Sequence, residues 1–290
     1  MTAATEDSFY SYTLTAKDAD KGDTLTYAAT KLPNWLTINP STGVLSGTPS
    51  NDDVGEHAVT LSVKDGANAL DTQSFTISVV NVNDEPVISS TPITVATEDN
   101  RYIYTLNASD VDKDDTLKYG ATNYPDWLVF NRSTGVLTGT PTNDDVGVHS
   151  VTLTVTDSAN ATIEQTFTIT VENVNDAPDV QNDIASVDED NSVAIDILAN
   201  DSDVDSKLNP ASVMIVTTPT QGQTSLNTAN GVITYTPNEN INGTDTFSYT
   251  VDDIEHGRSD VATVTITINP VNDAPLANSD SAMTEEDMAI

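Results

Sequence analysis

Ser41-Thr-Gly-Val-Leu-Ser-Gly-Thr-Pro49 returns 92 residues later as Ser133-Thr-Gly-Val-Leu-Thr-Gly-Thr-Pro141. The same spacing carries Glu6-Asp7 to Glu98-Asp99, Trp35-Leu36 to Trp127-Leu128, and Asn81-Val-Asn-Asp84 to Asn173-Val-Asn-Asp176, with no gap. Such a fixed period means that the chain is built of repeated structural units. A third, more divergent unit opens at Glu189-Asp190 and closes at Val271-Asn-Asp-Ala-Pro275. It lacks the Trp-Leu pair and carries Gly231-Val-Ile-Thr-Tyr-Thr-Pro237 and Gly243-Thr-Asp-Thr-Phe-Ser-Tyr-Thr-Val251 instead. Glu286-Asp287 stands 97 residues after Glu189-Asp190. The expected domains are therefore 1–86, 87–178 and 179–275, with 276–290 the start of a fourth repeat. Met1 runs straight into repeat sequence and residues 284–290 read as a repeat cut short. The expectation is an excised fragment of a longer protein.

Within each unit the pattern is that of β-strands. Val59-Thr-Leu-Ser-Val63, Phe75-Thr-Ile-Ser-Val79, Val151-Thr-Leu-Thr-Val155 and Val261-Ala-Thr-Val-Thr-Ile-Thr-Ile268 alternate apolar with small polar residues. Period two puts one set of side chains on a core and the other in water. Thr suits the wet face of a strand and adds no charge. Gly, Pro, Asn and Asp punctuate the runs as turns, and no stretch has a helical period. Short strands in a unit of about 100 residues predict an immunoglobulin-like sandwich. The fold class expected is all-β, with tandem antiparallel β-sandwiches in an extended array and almost no helix.

The chain of 290 residues carries 45 Asp plus Glu against 10 Lys plus Arg, a formal net charge of −35. That excess argues against nucleic acid and anionic lipid as partners, since phosphate binding needs dense Lys and Arg. The regular apolar alternation excludes the disorder that strong acidity otherwise suggests. With no Cys, no disulfide staples the fold, which leans toward a bacterial source. No apolar run approaches the roughly 18–20 residues of a membrane span, and no leader opens the sequence.

The carboxylates are clustered. The second unit has Glu98-Asp99, Asp110-Val-Asp112-Lys-Asp-Asp115, Asp144-Asp145, Asp157 and Asn175-Asp176. A sandwich collects its loops at two poles, so these groups meet where one domain abuts the next. Carboxylates converging on one point repel unless a cation sits among them. Calcium, which takes about 6–8 oxygen ligands, fits such a set, and magnesium, with its strict octahedron and retained waters, fits it less well. Soft ligands for zinc or copper are lacking, with no Cys and three His.

The Asn-Val-Asn-Asp-(Ala/Glu)-Pro linkers, the Asp-x-Asp pairs and the Glu opening each unit resemble cadherin-type repeats. The first two units, with Leu32-Pro-Asn-Trp-Leu36 and Ser-Thr-Gly-Val-Leu-x-Gly-Thr-Pro, are most similar to dystroglycan-type cadherin-like and putative-Ig repeats, which large bacterial RTX-type adhesins string together. The third unit resembles the related cadherin-like repeats. The resemblance implies calcium at each junction, held by both neighbours and the linker. Carried over, the first junction takes Glu6 and Asp53 from unit one, Asn81, Asn83 and Asp84 from the linker, and Asp110, Asp112 and Asp157 from unit two. The second takes Glu98, Asp145, Asn173, Asn175, Asp176, Asp203, Asp205 and Asp252. Asp52, Asp144 and Asp253 compete with Asp53, Asp145 and Asp252. The family linker often begins with Asp where this chain has Asn81 and Asn173, which implies weaker binding or fewer ions. Pro270 holds that position in the third linker and puts a third junction in doubt. Asp18, Asp20 and Asp65, with no linker upstream, imply weak sites.

Plainer readings compete with these. Asp caps turns without any metal, and for an isolated Asp-x-Asp that reading has equal weight; recurrence at 92 residues favours calcium. Trp35 and Trp127 read as core residues rather than sugar platforms, and His57 and His149 as turn or packing residues. Asn131-Arg-Ser133 and Asn107-Ala-Ser109 match a glycosylation triplet without meaning in a bacterium. No catalytic motif is present, and carboxylate pairs copied in every unit argue against an active site of the glycosidase kind. The function expected is a non-enzymatic, calcium-rigidified spacer of a secreted or cell-surface adhesin, a monomer whose partners are its own neighbouring repeats. The alternative is an adhesive module that binds polysaccharide or its own copies.

Overall fold

In the computed structural model, residues 2–20, 22–275, 277 and 279 are described; the rest of the expected fourth repeat, with Glu286-Asp287, lies outside them. The chain divides into two compact units, Met1–Glu172 and Asn173–Ile290. The first unit holds two separate apolar cores and the second holds one. Among the described residues the regular secondary structure is strand, apart from 3₁₀ turns at Asn51–Asp53 and Asn143–Asp145.

The first sandwich is built from β1 (Ala3–Thr5), β2 (Tyr10–Thr13), β3 (Thr26–Lys31), β4 (Leu36–Ile38), β5 (Val44–Gly47), β6 (Gly55–Lys64) and β7 (Leu70–Val80). One sheet runs β1-β7-β6-β3 and the other β2-β5-β4. The second sandwich repeats this plan with β9 (Val95–Thr97), β10 (Tyr102–Thr105), β12 (Lys118–Asn123), β13 (Leu128–Asn131), β14 (Val136–Gly139), β15 (Gly147–Thr156) and β16 (Thr162–Glu172). It adds a two-stranded pair, β8 (Val87–Ile88) with β11 (Ala108–Ser109). The third contains β17 (Asp183–Asp188), β18 (Val193–Ile195), β19 (Leu208–Thr217), β20 (Gly222–Leu226), β21 (Ile233–Pro237), β22 (Gly243–Asp253) and β23 (Ala262–Asn269), in sheets β17-β23-β22-β19 and β18-β21-β20.

The repeated Ser-Thr-Gly-Val-Leu stretch forms a turn and the strand after it. Asn39 accepts the Ser41 and Thr42 N–H groups on Oδ1, and Gly43 closes the turn at φ 69°, a left-handed value that glycine adopts without steric cost. Gly47 is required for a different reason. A Cβ there would lie 1.8 Å from the Trp35 carbonyl oxygen, and at Gly139 it would lie 2.0 Å from that of Trp127. The close approach seats each Trp half-buried on its core. Trp35 meets Tyr10 and His57 edge-on at 5.8 and 6.1 Å, and Trp127 meets Tyr102 and His149 at 5.9 and 6.1 Å. Both Trp and both His thus pack; His57 Nε2 also bonds the Asp53 carbonyl.

The feature that positions the site is parallel pairing. The opening strand of each sandwich lies alongside the closing strand and runs in the same direction: β1 on β7, β9 on β16, β17 on β23. The Glu that follows the opening strand therefore reaches the same pole as the linker leaving the closing strand.

Candidate metal centre

At the first linker, pairing of Thr5 with Val80 sets Glu6 beside Val82, whose N–H donates to Glu6 Oε1 at 2.7 Å. Glu6 is buried to 1 % exposure. From the far side, the Asp110-Val-Asp112 loop folds over the linker: the Asp112 N–H donates to Asp110 Oδ1 at 2.9 Å, and the Asp84 N–H donates to Asp112 Oδ2 at 2.9 Å. Asn83 Nδ2 donates to Asp157 Oδ2 at 2.8 Å and to the Asp84 carbonyl at 2.9 Å. Asp157 is fully buried at the end of β15, fixed by the Ala161 N–H on Oδ1.

Two groups of carboxylate oxygens result. Those of Glu6, Asp84 and Asp112 lie within 4.8 Å of one another, as do those of Asp110, Asp112 and Asp115. The first group draws one member each from the first sandwich, the linker and the second sandwich. Glu6 Oε2, Asn51 Oδ1, Asp110 Oδ2 and Asp112 Oδ1 are buried and make no hydrogen bond. A buried acceptor left unpaired costs about 1–3 kcal/mol, and more when charged. Four at one pole, three of them carboxylate oxygens, are an arrangement that a cation would compensate. The donors are hard oxygens, and at about 2.3–2.6 Å from a calcium ion two ligand oxygens can stand up to about 5 Å apart. The set fits calcium.

The 3₁₀ turn sends the three side chains of its Asn-Asp-Asp triplet to different partners. Asp52 is exposed. Asp53 Oδ2 is taken by the Ser50 N–H and hydroxyl, both at 2.9 Å, in a cap of its own turn. Asn51, which the sequence reading passed over, reaches the cluster, with Nδ2 on Asp84 Oδ2 at 2.9 Å. Asp145 makes the same cap with Thr142, and Asp144 is exposed. Asn81 is exposed. Asp115 belongs with the cluster, and hydrogen bonds from Ser158 and Thr116 outweigh burial to hold its carboxyl below the ordinary range.

Of the residues expected at the second junction, Glu98 and Asp145 lie in the first unit and the rest in the second. Glu98 is buried to 1 % exposure, and its N–H donates to the Glu172 carbonyl at 3.0 Å. In the second unit, Asn173 Nδ2 and the Asp176 N–H donate to Asp205 Oδ2 at 3.1 and 3.0 Å. Asp203 Oδ1 accepts from the Asp205 and Ser206 N–H groups. Asp203 Oδ2, Asp205 Oδ1 and Asn175 Oδ1 are buried without hydrogen bonds. Burial raises the Asp205 carboxyl, but donation from Asp176 and Asn173 prevails and its pKa is lowered.

Asp252 is not among the residues brought together here. Its carboxylate pairs with Arg258 at 2.7 and 3.1 Å, and the Arg258 N–H holds its pKa below the ordinary range. Asp253 is the residue that corresponds to Asp157: it is fully buried and accepts Asn175 Nδ2 at 2.8 Å. The strand's alternation carried the signal, since Phe247, Tyr249 and Val251 point inward and the next residue in step is Asp253. At the chain's first pole, Asp18, Asp20 and Asp23 come together but are exposed. Glu189, also passed over, is buried like Glu6 and accepts the Val271 N–H at 2.8 Å.

Residues 1–80 and 85–172 match the family profile described as Putative Ig domain, and residues 175–270 match Bacterial cadherin-like domain. A curated relative, "Serine-rich adhesin for platelets" of Staphylococcus aureus, is 30% identical over 165 residues, 53% of this chain and 6% of the adhesin. The chain thus spans a small fraction of that relative's length. Among solved structures, protocadherin gamma B2 extracellular cadherin domains 1-5 superpose with a TM-score of 0.55 at 16% identity, covering 93% of this chain and 59% of that one. Protocadherin gammaB7 EC3-6 gives 0.52 at 18% identity, covering 92% and 71%. These likenesses establish the tandem cadherin-like sandwich fold.

Proposed function

Because the chain belongs to the Putative Ig domain family through its first two units and carries a bacterial cadherin-like third, we propose that it is a calcium-rigidified extender segment of a secreted or cell-surface adhesin. The family matches and the adhesin relative support reading it as a non-enzymatic adhesion repeat. The observation that carries the finer reading is the convergence of buried Glu6, half-buried Asp84 and buried Asp112, from two consecutive sandwiches and their linker, into one oxygen cluster.

A bound divalent cation would supply positive charge to carboxylates that otherwise repel. Glu6, Asp84, Asp110, Asp112 and Asp115 are the carboxylates that would hold it at the first linker, with Asn51 Oδ1 as a neutral ligand. In the second unit Asn175, Asp203 and Asp205 offer the corresponding oxygens. The chain's own hydrogen bonds set the orientation: the Val82 N–H holds Glu6, the Asp84 N–H holds Asp112, and Asn83 is tied to Asp157. The linker is thus bonded to both domains, and loading the cluster fixes the angle between them. Each ion bound only to the folded state at about 100 times Kd adds about 2.7 kcal/mol. Extracellular modules bind calcium at about 10⁻⁴–10⁻³ M, which suits a surface protein. The partners of this segment are neighbouring repeats, with its adhesive ligand carried elsewhere.

Calorimetric titration of the chain with calcium tests the reading. It predicts saturable binding that falls at least tenfold in Asp112→Asn. Indifference to calcium, or titration unchanged in that variant, contradicts it. The adhesive-module alternative lacks an exposed Trp platform, since both Trp are seated on their cores.

A further inference from the structure

An open groove of about 540 Å³ runs along the first sandwich, lined among others by Leu14, Ala16, Leu25, Val63 and Gln73. The residues 92 further on are Leu106, Ala108, Leu117, Val155 and Gln165, and in the second sandwich the same space is filled by the strand that follows the linker. There Ile88 pairs with Ala108 and packs on the core. The Ser89 N–H donates to the Asn107 carbonyl at 2.9 Å, and the Asn107 N–H donates to Ser90 Oγ at 2.9 Å. Gln165 Nε2 donates to the Ser90 carbonyl at 2.9 Å, while its Oε1 accepts the Tyr104 hydroxyl at 2.6 Å. The third sandwich fills its own slot with the residues after its linker: Asp179 and Ser202 exchange backbone bonds, and Val180 packs on the core.

The first sandwich has the walls of this slot already in place. The Tyr12 hydroxyl donates to Gln73 Oε1 at 2.8 Å, as Tyr104 does to Gln165, which leaves Gln73 Nε2 as donor for a strand carbonyl. What differs is exposure. Val155 is fully buried where Val63 is half-buried, Tyr104 is buried where Tyr12 is half-buried, and Leu70 on the rim is 60 % exposed.

We propose that this groove is an acceptor slot for one extended strand, and that its occupant is a linker strand of the repeat's own type: Pro, two apolar residues, then two small hydrogen-bonding residues, as in Pro86-Val-Ile-Ser-Ser90. The second apolar residue pairs with Ala16 and fills the space between Leu14 and Val63, and the carbonyl of the last residue accepts Gln73 Nε2. Within this chain Pro275-Leu-Ala-Asn-Ser279 has the same pattern.

The test joins a copy of residues 84–92 directly ahead of Met1 in the full chain, which keeps the 92-residue register. Hydrogen exchange at the amides of residues 15–17 slows at least tenfold, and the first melting transition rises by several degrees. The same extension with Asp in place of Ile88 gives neither effect. Unchanged exchange with the native extension overturns the proposal, as does equal protection by both extensions. A free peptide of residues 84–91 then shifts the backbone NMR signals of residues 14–17 and 73 in the unextended chain and not in the extended one. Shifts of equal size in both chains place the peptide elsewhere and overturn the proposal.

Discussion

Asp18, Asp20 and Asp65 at the start of the chain and Asp110, Asp112 and Asp157 at the first linker occupy equivalent positions in two successive repeats. Their surroundings are opposite. Asp112 and Asp157 are buried, whereas Asp18 and Asp20 are exposed and Asp65 is half-buried. The local folding is the same in both, because each Asp-x-Asp loop closes on its own N–H and each final Asp caps the turn after its strand. The difference is the Asn-Val-Asn-Asp linker, whose Asn83 and Asp84 bond over the second set. On the proposed reading such a loop is a half-site, which the linker and the Glu of the preceding domain complete.

The largest effect that breaks the comparison is at Asp112, whose carboxylate is common to both groups. Asp112→Ala is expected to weaken calcium binding at this pole at least tenfold and to lower the calcium-induced rise in melting temperature, while Asp20→Ala changes either by less than twofold. Calorimetry and thermal melts of the two variants check this; equal effects would mean that the linker adds nothing.

Next come the cores, which should not distinguish the repeats. Gly47→Ala and Gly139→Ala each force a Cβ into a Trp carbonyl, and overpacking of this kind costs about 1–3 kcal/mol. Similar losses in denaturant titration, unaffected by EDTA, would confine the difference between repeats to the poles. A loss confined to one variant would extend it to the cores.

A smaller effect is expected at Asn83. Asn83→Ala removes the donor to Asp157 and should cost about 0.5–1.5 kcal/mol, seen as faster hydrogen exchange in the 157–161 turn and not in the equivalent 65–69 turn. The smallest concerns Asp183 in the third sandwich. Burial, with the Asp201 and Asp196 carboxylates beside it, outweighs its bond from Tyr249 and raises its pKa to about 6. The folded state then binds the proton more tightly than the unfolded chain, so stability falls as pH rises from about 4 to 6 and is flat above. Asp183→Asn should flatten that slope in melts recorded across the range.

Much of this was legible in the sequence. The Ser41–Pro49 repeat and the period-two runs define the sandwiches, because turns and alternating strands are local. The Asp-x-Asp loops were legible for the same reason, being closed by their own backbone. Asn51 was not, since an Asn beside two Asp in a turn reads as turn chemistry, and its place in the cluster depends on a linker about thirty residues away. Asp253 was legible in the inward parity of β22 but was obscured by the adjacent Asp252, whose partner Arg258 follows a turn. The open groove in the first sandwich emerges when equivalent walls are set side by side in three dimensions.

A cation held by carboxylates of two sandwiches and their linker would fix the angle between the domains. Small-angle scattering of the chain in a few millimolar calcium and again in excess EDTA tests it most directly. A longer, stiffer particle in calcium that becomes flexible in EDTA, with the difference reduced in Asp112→Ala, is the predicted result. Superimposable profiles in the two conditions would contradict the account.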